Sequence, residues 1–213
     1  MTGEESDRVA HRRIVRDGYD EVGETYAAER EPDEDERALL DRIVAGLDDG
    51  ARLLDAGCGD GTAVAGPAAD LGCEAIGLDL SAGQLELASE YRPDEAFVQG
   101  DLTRLPFPSD AFDAVCSLHA IIHVPREEHR AVFEELARVL APGGQLLASV
   151  GAGGWEGRNP DWLSAGAEMR WSFYGADRYR ELLERVGFDL REEALLGDEL
   201  GGGEWLYLLA RAP

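Results

Sequence analysis

The sequence predicts an α/β fold in which helices cover both faces of a mostly parallel sheet. Short apolar runs alternate with stretches of helical spacing along the chain, a pattern that repeated strand–helix units produce. One of these runs, 51–56, leads directly into a cluster of glycines, and ligands bind at such turns in open α/β sheets. The 213 residues are enough to bury one core of this kind.

The chain begins with a predicted helical cap over residues 1–48. Residues 8–29 and 34–47 have helical patterns, and Pro32 interrupts the pattern between them because proline cannot continue a helix. Residues 49–213 then form the main domain. We expect the cap and the main domain to fold as a single structural unit.

The main domain is predicted to alternate strands with helices. Ser81 marks the start of one helix, because its hydroxyl can accept a backbone N–H that the first helical turn leaves free. Residues 151–175 match neither pattern and are predicted to form an irregular, aromatic insertion. The expected strands are 51–56, 74–79, 95–99, 112–118, 145–150, 188–195 and 204–211. The expected helices are 62–71, 81–91, 126–140 and 177–186.

The charge of the chain is extreme. Its 44 acidic residues outnumber 20 basic ones, all of them arginine, for a net charge of -24. A nucleic acid would be repelled, because binding phosphates requires a clustered basic face. At molar salt the Debye length shrinks to about 3 Å, so dense surface carboxylates no longer repel each other over long distances. We interpret the acidity as adaptation to high salt, as in a haloarchaeal organism, and not as a clue to the reaction.

The sequence also predicts where the protein works. No run approaches the roughly 18 to 20 apolar residues needed to cross a bilayer, so no membrane association is expected. Residues 1–16 are polar and charged, unlike a secretory signal. Cys58, Cys73 and Cys116 occur singly, which indicates reduced thiols and neither a disulfide framework nor a metal site. We therefore expect a cytoplasmic protein.

The glycine cluster carries the main chemical signal. Asp55, Gly57, Gly59 and Gly61 form a D-x-G-x-G-x-G pattern at a strand-to-helix turn, where glycines let the backbone approach a ligand closely. A dinucleotide fingerprint of the form G-x-G-x-x-G would require glycine at Thr62. The pattern therefore disfavours a nicotinamide-dependent oxidoreductase, although the glycines alone do not exclude one.

Two acids follow the next two strands. Asp79 ends the second strand, and a carboxylate there can accept hydrogen bonds from both hydroxyls of a ribose. Asp101 follows the third strand in the segment Gly100-Asp101-Leu102. Because NAD and S-adenosylmethionine both carry a ribose, Asp79 alone does not distinguish between these cofactors.

Five segments together resemble the class I S-adenosylmethionine-dependent methyltransferases of the type 11/25-like kind. They are 53–62, 76–81, 99–107, 112–117 and 139–144. The resemblance implies a Rossmann-like seven-stranded sheet of order 3-2-1-4-5-7-6, with the last strand antiparallel. It also implies transfer of a methyl group from S-adenosyl-L-methionine, which leaves S-adenosyl-L-homocysteine.

The same resemblance implies roles for individual residues. The glycine loop is expected to hold the methionine part of the cofactor, Asp101 and the backbone of Leu102 the adenine amino edge, and Gln84 the adenine face. Tyr19 and Tyr26 are seven residues apart on one helical face, and they either cover the cofactor or simply pack on the core. The full expected cofactor set is Tyr19, Tyr26, Arg30, Asp55, Gly57, Cys58, Gly59, Gly61, Asp79, Leu80, Gln84, Gly100, Asp101, Leu102, Ser117 and Leu118.

Arg30 and two histidines allow more than one interpretation. Arg30 could pair with the methionine carboxylate or with nearby acids. His119 follows the fourth strand, where the reactive methyl group is expected, so it is either a general base or part of the pocket wall. His123 lies four residues later, but the pair has no further ligand at convincing spacing, so no metal is predicted.

The aromatic insertion is expected to form a lid over the acceptor, or else a satellite hydrophobic cluster under a long loop. The expected pocket residues are His119, His123, Trp155, Trp171 and Tyr174. The segment after the fourth strand lacks the N-P-P-Y pattern of enzymes that methylate amino groups of DNA or protein. A small-molecule acceptor remains by elimination, and its identity is open. So are the oligomeric state, monomer or homodimer, and whether the protein only binds the cofactor without turnover.

Overall fold

The structure is a computed structural model that describes residues 3–30, 34–197 and 203–213. Its helices are α1 (Gly3–Glu29), α2 (Glu34–Val44), α3 (Ala65–Asp70), α4 (Ala82–Tyr91), α5 (His129–Val139) and α6 (Ala176–Val186). Its strands are β1 (Arg52–Ala56), β2 (Glu74–Asp79), β3 (Ala96–Gln99), β4 (Phe112–Ser117), β5 (Leu140–Gly151), β6 (Trp155–Trp162), β7 (Ala167–Phe173), β8 (Asp189–Gly197) and β9 (Glu204–Arg211).

Seven strands form one sheet in the order β3-β2-β1-β4-β5-β9-β8. The first five are parallel, and β9 runs antiparallel to both β5 and β8. The α/β, mostly parallel sheet is confirmed, including the antiparallel last strand. The strand order differs from the prediction in detail, because two strands that were not predicted, β6 and β7, precede β8 and form a separate sheet.

Both faces of the large sheet are buried. On one face α5 packs through Phe133 and Leu136, whose spacing of three residues places them on one side of the helix. On the other face α2 packs through Leu40 and Ile43 with the same spacing. All four side chains are almost fully buried, and each contributes about 1.5 to 3 kcal/mol of hydrophobic stabilisation. The helices therefore hold the sheet rigid beneath its ligand-binding edge.

The cap helix α1 lies across α4 and β7. Asp20 of α1 accepts hydrogen bonds from the Ser81 hydroxyl at 2.6 Å and from the Gly83 backbone N–H at 3.0 Å. The Ser81 hydroxyl in turn accepts the Gln84 backbone N–H, which confirms the predicted helix start. An acid near the free N–H groups at the start of a helix is electrostatically favourable, so Asp20 holds α1 against the start of α4.

The prediction that residues 151–175 are irregular is wrong. The segment contains an antiparallel hairpin in which Trp155 of β6 pairs with Phe173 of β7. The β7 side chains Met169, Trp171 and Phe173 are separated by polar residues, a period of two that is typical of a half-buried strand. The aromatic content obscured that alternation.

Several predicted boundaries also moved. Residues 126–140, predicted as one helix, contain a short 3-10 turn, Arg126–Glu128, before α5. The third helix begins at Ala65 and not at Thr62, which lies in a turn where Asp60 accepts both its N–H and its hydroxyl. Pro32 lies outside the described residues. Among the helices that are described, none is long and apolar enough to cross a membrane.

Candidate functional site

A cavity of about 260 Å³ lies at the carboxyl edge of the sheet, under α1. The loops after β1, β2, β3 and β4 form its floor, since the carboxyl ends of parallel strands meet at one edge. Residues of α1 such as Val15 and Tyr19 form its roof. The wall includes most of the predicted cofactor set: Tyr19, Tyr26, Arg30, Asp55, Gly57, Cys58, Gly59, Asp79, Leu80, Gln84, Gly100, Asp101, Leu102 and Leu118.

The glycine loop brings backbone close to the cavity. Gly57 has a φ of +92°, and a Cβ atom there would lie 2.1 Å from the Cβ of Ala120. The N–H groups of Gly57 and Cys58 both donate to the carbonyl oxygen of Leu78, at 2.7 and 2.9 Å. Only glycine fits position 57 without strain. The two hydrogen bonds to Leu78 hold the loop after β1 against the end of β2.

Two carboxylates face the loop. Asp79 accepts the backbone N–H groups of Gly59 and Ser81, both at 2.9 Å. Asp55 is buried and accepts the N–H of Ala65 at 3.0 Å. Burial, together with the charge of the nearby Asp79, raises the pKa of Asp55 to about 7. The pair gives this end of the cavity a negative charge that favours a positively charged ligand.

Gln84 is the clearest sign of a missing polar partner. Its side chain is only 1% exposed and lines the cavity, yet neither the amide oxygen nor the amide nitrogen has a hydrogen-bond partner among the residues that the structure describes. An unpaired buried amide costs free energy, about 1 to 3 kcal/mol. A ligand group that pairs with this amide would remove that cost, and the donors and acceptors of a nucleoside are groups of that kind.

Asp101 is already paired. One of its oxygens accepts the N–H and hydroxyl of Thr103, at 2.8 and 2.7 Å. The other lies 2.9 Å from Nε of Arg12, a residue of α1 that also contacts Glu128. The expected contact of Asp101 with an adenine amino group therefore competes with Arg12, whose part in this wall the sequence did not reveal.

Tyr19, Tyr26 and Arg30 come together in the roof of the cavity. The two tyrosine rings meet edge to face at 5.5 Å, and Trp162 of β6 packs against both of them. Arg30 donates to the Tyr26 hydroxyl at 2.8 Å and to Oε2 of Glu36 at 3.0 Å. Of the two interpretations of Arg30, the structure contains the pairing with a nearby acid.

His119 contacts two residues that the sequence did not single out. Its Nε2 atom hydrogen-bonds to Oε1 of Glu36, and the Tyr207 hydroxyl lies 3.0 Å from the same nitrogen. The Tyr207 hydroxyl also donates to Glu36. Burial opposes ionisation of Glu36, but its contacts with His119, Arg30 and Tyr207 lower its pKa to about 2. The carboxylate is therefore charged, and we name these three residues, Glu36, His119 and Tyr207, the carboxylate–histidine cluster.

His123 connects three elements beside the cavity. Its Nδ1 atom donates to the carbonyl oxygen of Arg170 in β7 at 2.8 Å, so Nε2 accepts the Tyr19 hydroxyl at 2.9 Å. Burial lowers the pKa of His123 to about 4, which keeps the ring neutral. His123 thus holds the hairpin and α1 together while lining the cavity.

Several expected residues lie elsewhere. Ser117 is buried and donates to the carbonyl oxygen of Ala56 at 2.7 Å. Gly61, with a φ of +74°, packs against the Phe97 ring behind the cavity. Neither is in the described wall.

The aromatic residues expected in the acceptor pocket are also displaced from it. Trp155 is 48% exposed on the outer strand of the hairpin. Trp171 packs against Trp155 and His123 with tilted rings, at ring distances of 5.9 and 5.6 Å. Tyr174 packs on Tyr179 at 6.2 Å. These three do not line the described cavity, and Trp162 contacts the roof instead.

Similar proteins match most of the chain. Residues 54–148 match a family model described as a methyltransferase domain. A demethylmenaquinone methyltransferase from Beutenbergia cavernae is 38% identical over 178 residues, covering 80% of this chain and 69% of that protein. A sterol 24-C-methyltransferase from Kluyveromyces lactis is 30% identical over 189 residues, covering 77% of this chain and 49% of that protein. The chain spans about half the length of several curated relatives that it matches.

The fold also resembles that of solved structures. The magnesium protoporphyrin IX methyltransferase of Synechocystis PCC 6803, crystallised with bound S-adenosylmethionine, aligns with a TM-score of 0.74. The alignment covers 95% of this chain and 97% of that one, at 21% identity. At that identity the likeness concerns the fold alone.

Proposed function

This chain belongs to the S-adenosylmethionine-dependent methyltransferases, and we propose that it transfers the methyl group of that cofactor to a small-molecule acceptor. The observation that carries the proposal is the cavity at the carboxyl edge of the sheet, in which two acids and an unpaired amide meet a glycine loop. Those groups suit a cationic nucleoside, because the acids attract its charge and the amide needs a polar partner.

Each part of the cavity has a proposed role toward the cofactor. Asp79 would hold the ribose hydroxyls, since a carboxylate has about four acceptor sites and its two backbone donors use only part of them. Gln84 would pair with the nucleoside, and Asp55 would face the positively charged methionine end. When bound, the cofactor supplies an electrophilic methyl group on a sulfonium.

The remaining residues exclude water and orient the acceptor. Tyr19 and Tyr26 close the roof, and Leu118 and Val124 line the cavity beside His119. The relatives named above act, by their names, on a demethylmenaquinone and a sterol, which are small organic molecules. The net charge of -24 opposes a nucleic acid as acceptor. We propose that the β6–β7 hairpin, through Trp162, acts as a lid that supports this roof.

Incorporation of label tests the proposed activity. Purified protein in molar salt would receive S-adenosylmethionine with a tritiated methyl group, together with pools of quinols, phenols, sterols and amines. We expect label in an extractable small molecule, and none with Asp79→Ala. Cofactor binding without label in any pool would contradict turnover and favour a protein that binds the cofactor only. Label in added DNA or RNA would contradict the acceptor class.

We also propose that the protein works in the cytoplasm of a halophilic cell. Supporting observations are the 44 acidic residues, the absence of lysine and the three free cysteines. Thermal unfolding in low salt and in molar KCl tests the salt adaptation. Stability that rises with KCl is expected, because salt screens repulsion between the carboxylates. A melting temperature that does not change would contradict it.

A further inference from the structure

The carboxylate–histidine cluster has the geometry of an oriented base. Glu36 comes from α2, His119 from the loop after β4 and Tyr207 from β9, so three distant elements converge on one imidazole. Glu36 and His119 line the cavity, and Tyr207 stands behind them with 1% exposure. Arg30, the residue after α1, holds the other oxygen of Glu36. The carboxylate is thereby held in place from both sides.

The imidazole is fixed by this arrangement. Because Glu36 is ionised and can only accept, Nε2 of His119 carries the proton and donates it to Glu36. When the ring is neutral, the other nitrogen, Nδ1, is an acceptor, and it has no hydrogen-bond partner among the described residues. The His119 side chain is 14% exposed and lines the cavity, and Nδ1 is not among the fully buried unpaired atoms of the described chain.

The backbone at His119 supports the same conclusion. Its φ is +54°, a left-handed conformation that costs a non-glycine residue about 1 to 2 kcal/mol. The N–H of His119 donates to the Ser149 hydroxyl at 2.7 Å, which helps to hold that conformation. Strained residues of this kind concentrate at functional sites. A role confined to pinning α2 onto the sheet would not require the strain.

We propose that His119 accepts the proton of an acceptor that carries a phenolic or enolic hydroxyl, with Glu36 and Tyr207 as positioning residues. This inference rests on the proposed methyl transfer and names the acceptor class. An oxygen nucleophile of this class is mostly protonated at neutral pH and must lose its proton as it is methylated, whereas a neutral amine can attack before any proton moves. A histidine base suits the hydroxyl.

The proposed step balances. The O–H bond of the acceptor breaks as its proton moves to Nδ1 of His119, and the oxygen forms a bond to the methyl carbon. The carbon–sulfur bond breaks, and its electron pair stays on the sulfur of S-adenosylhomocysteine. The imidazolium is stabilised by Glu36 and later releases the proton to water.

Nitrogen-detected NMR of the histidine side chains tests the proposal without relying on turnover. The protein has four histidines, and His119→Gln assigns the relevant signal. The expected state in protein saturated with S-adenosylhomocysteine is neutral His119 protonated at Nε2. Addition of phenol should shift the Nδ1 resonance, while anisole, which lacks the hydroxyl proton, should not. Protonation at Nδ1, or an Nδ1 resonance that phenol leaves unmoved, would overturn the proposal.

Two variants separate positioning from structure. Glu36→Gln should weaken the phenol-dependent shift about tenfold in apparent affinity, because one charge-assisted contact behind the imidazole is lost. Glu135→Gln, which removes a carboxylate paired with Arg138 instead, should leave it unchanged. An equal response from both variants would contradict the positioning role.

Calorimetric binding of S-adenosylhomocysteine is measured in parallel. If the wild-type protein does not bind it, the proposed function fails. If it binds but phenol does not shift the Nδ1 resonance of His119, this inference alone is overturned.

Discussion

The glycine-rich edge and the carboxylate–histidine cluster lie on the same cavity but are built in opposite ways. The edge uses residues 55–84, a nearly continuous segment whose contacts are mostly to backbone groups. The cluster joins residues 36, 119 and 207, and its Glu36–Tyr207 contact spans 171 positions of the chain. The glycine-rich edge is built from residues that are close in sequence. The carboxylate–histidine cluster forms only when distant parts of the chain have come together in the sheet.

The largest effect is expected at the glycine-rich edge. Asp79→Ala removes the acceptor proposed for two ribose hydroxyls, each bond worth about 1.5 to 3 kcal/mol, so affinity for S-adenosylmethionine should fall more than about tenfold. Glu74→Ala, at the exposed amino end of the same strand, is the matched control and should bind normally. Unchanged affinity in Asp79→Ala would remove the ribose assignment.

The next effect concerns the stability of the edge. Gly57→Ala places a Cβ atom 2.1 Å from that of Ala120 at a positive φ, so we expect a loss of about 2 to 4 kcal/mol in unfolding free energy. Gly50→Ala has a similar φ of +75° but open space, so it should cost only about 1 to 2 kcal/mol. Chemical denaturation of both variants measures the difference, and equal losses would show that the close approach to Ala120 is unimportant.

A smaller effect should appear in the pH dependence of binding. Burial raises the pKa of Asp55 to about 7, so below that pH the free protein holds a proton that a cationic ligand must displace. Affinity for S-adenosylmethionine should therefore decrease as the pH falls below about 7, by at most about tenfold per unit. Calorimetry in buffers of different ionisation enthalpy would show proton release at neutral pH. Asp55→Asn should release none, and release equal to wild type would assign the proton to another group.

The smallest effect is expected at the hydrogen bond between Tyr19 and His123, which are distant in sequence. Tyr19→Phe leaves Nε2 of the buried His123 without its donor, at a cost of about 1 to 3 kcal/mol in unfolding free energy. Tyr91→Phe, at an exposed ring, should change nothing. Because His123 also holds Arg170 of β7, hydrogen exchange should increase in the hairpin of Tyr19→Phe only. Unaltered exchange would mean that α1 and the hairpin are held together by their apolar contacts.

The same contrast explains what could be read from the sequence. The strands of the large sheet, the glycine loop, Asp55 and Asp79 were predictable, because strand patterns and their following turns are local in sequence. Gln84 was expected only from the resemblance to the methyltransferases. The hairpin β6–β7 was missed, although the alternation of Met169, Trp171 and Phe173 was present, because aromatic content was given more weight than period.

The carboxylate–histidine cluster had no local signal. Glu36 is one of several acids at the start of α2, and Tyr207 is one apolar-flanked residue inside β9. Nothing in either neighbourhood points to His119. Likewise, the pairing of Arg12 with Asp101 depends on where α1 lies across the sheet, which is a tertiary property. Long-range polar contacts of this kind require the three-dimensional structure.

The most direct test of the account is calorimetric titration of the protein in molar salt with S-adenosylmethionine, S-adenosylhomocysteine and NAD in separate experiments. The account predicts that the first two bind and that NAD does not, because the third glycine of a dinucleotide loop is replaced by Thr62. Binding of NAD alone, or of none of the three by folded protein, would contradict the assignment of this cavity to S-adenosylmethionine.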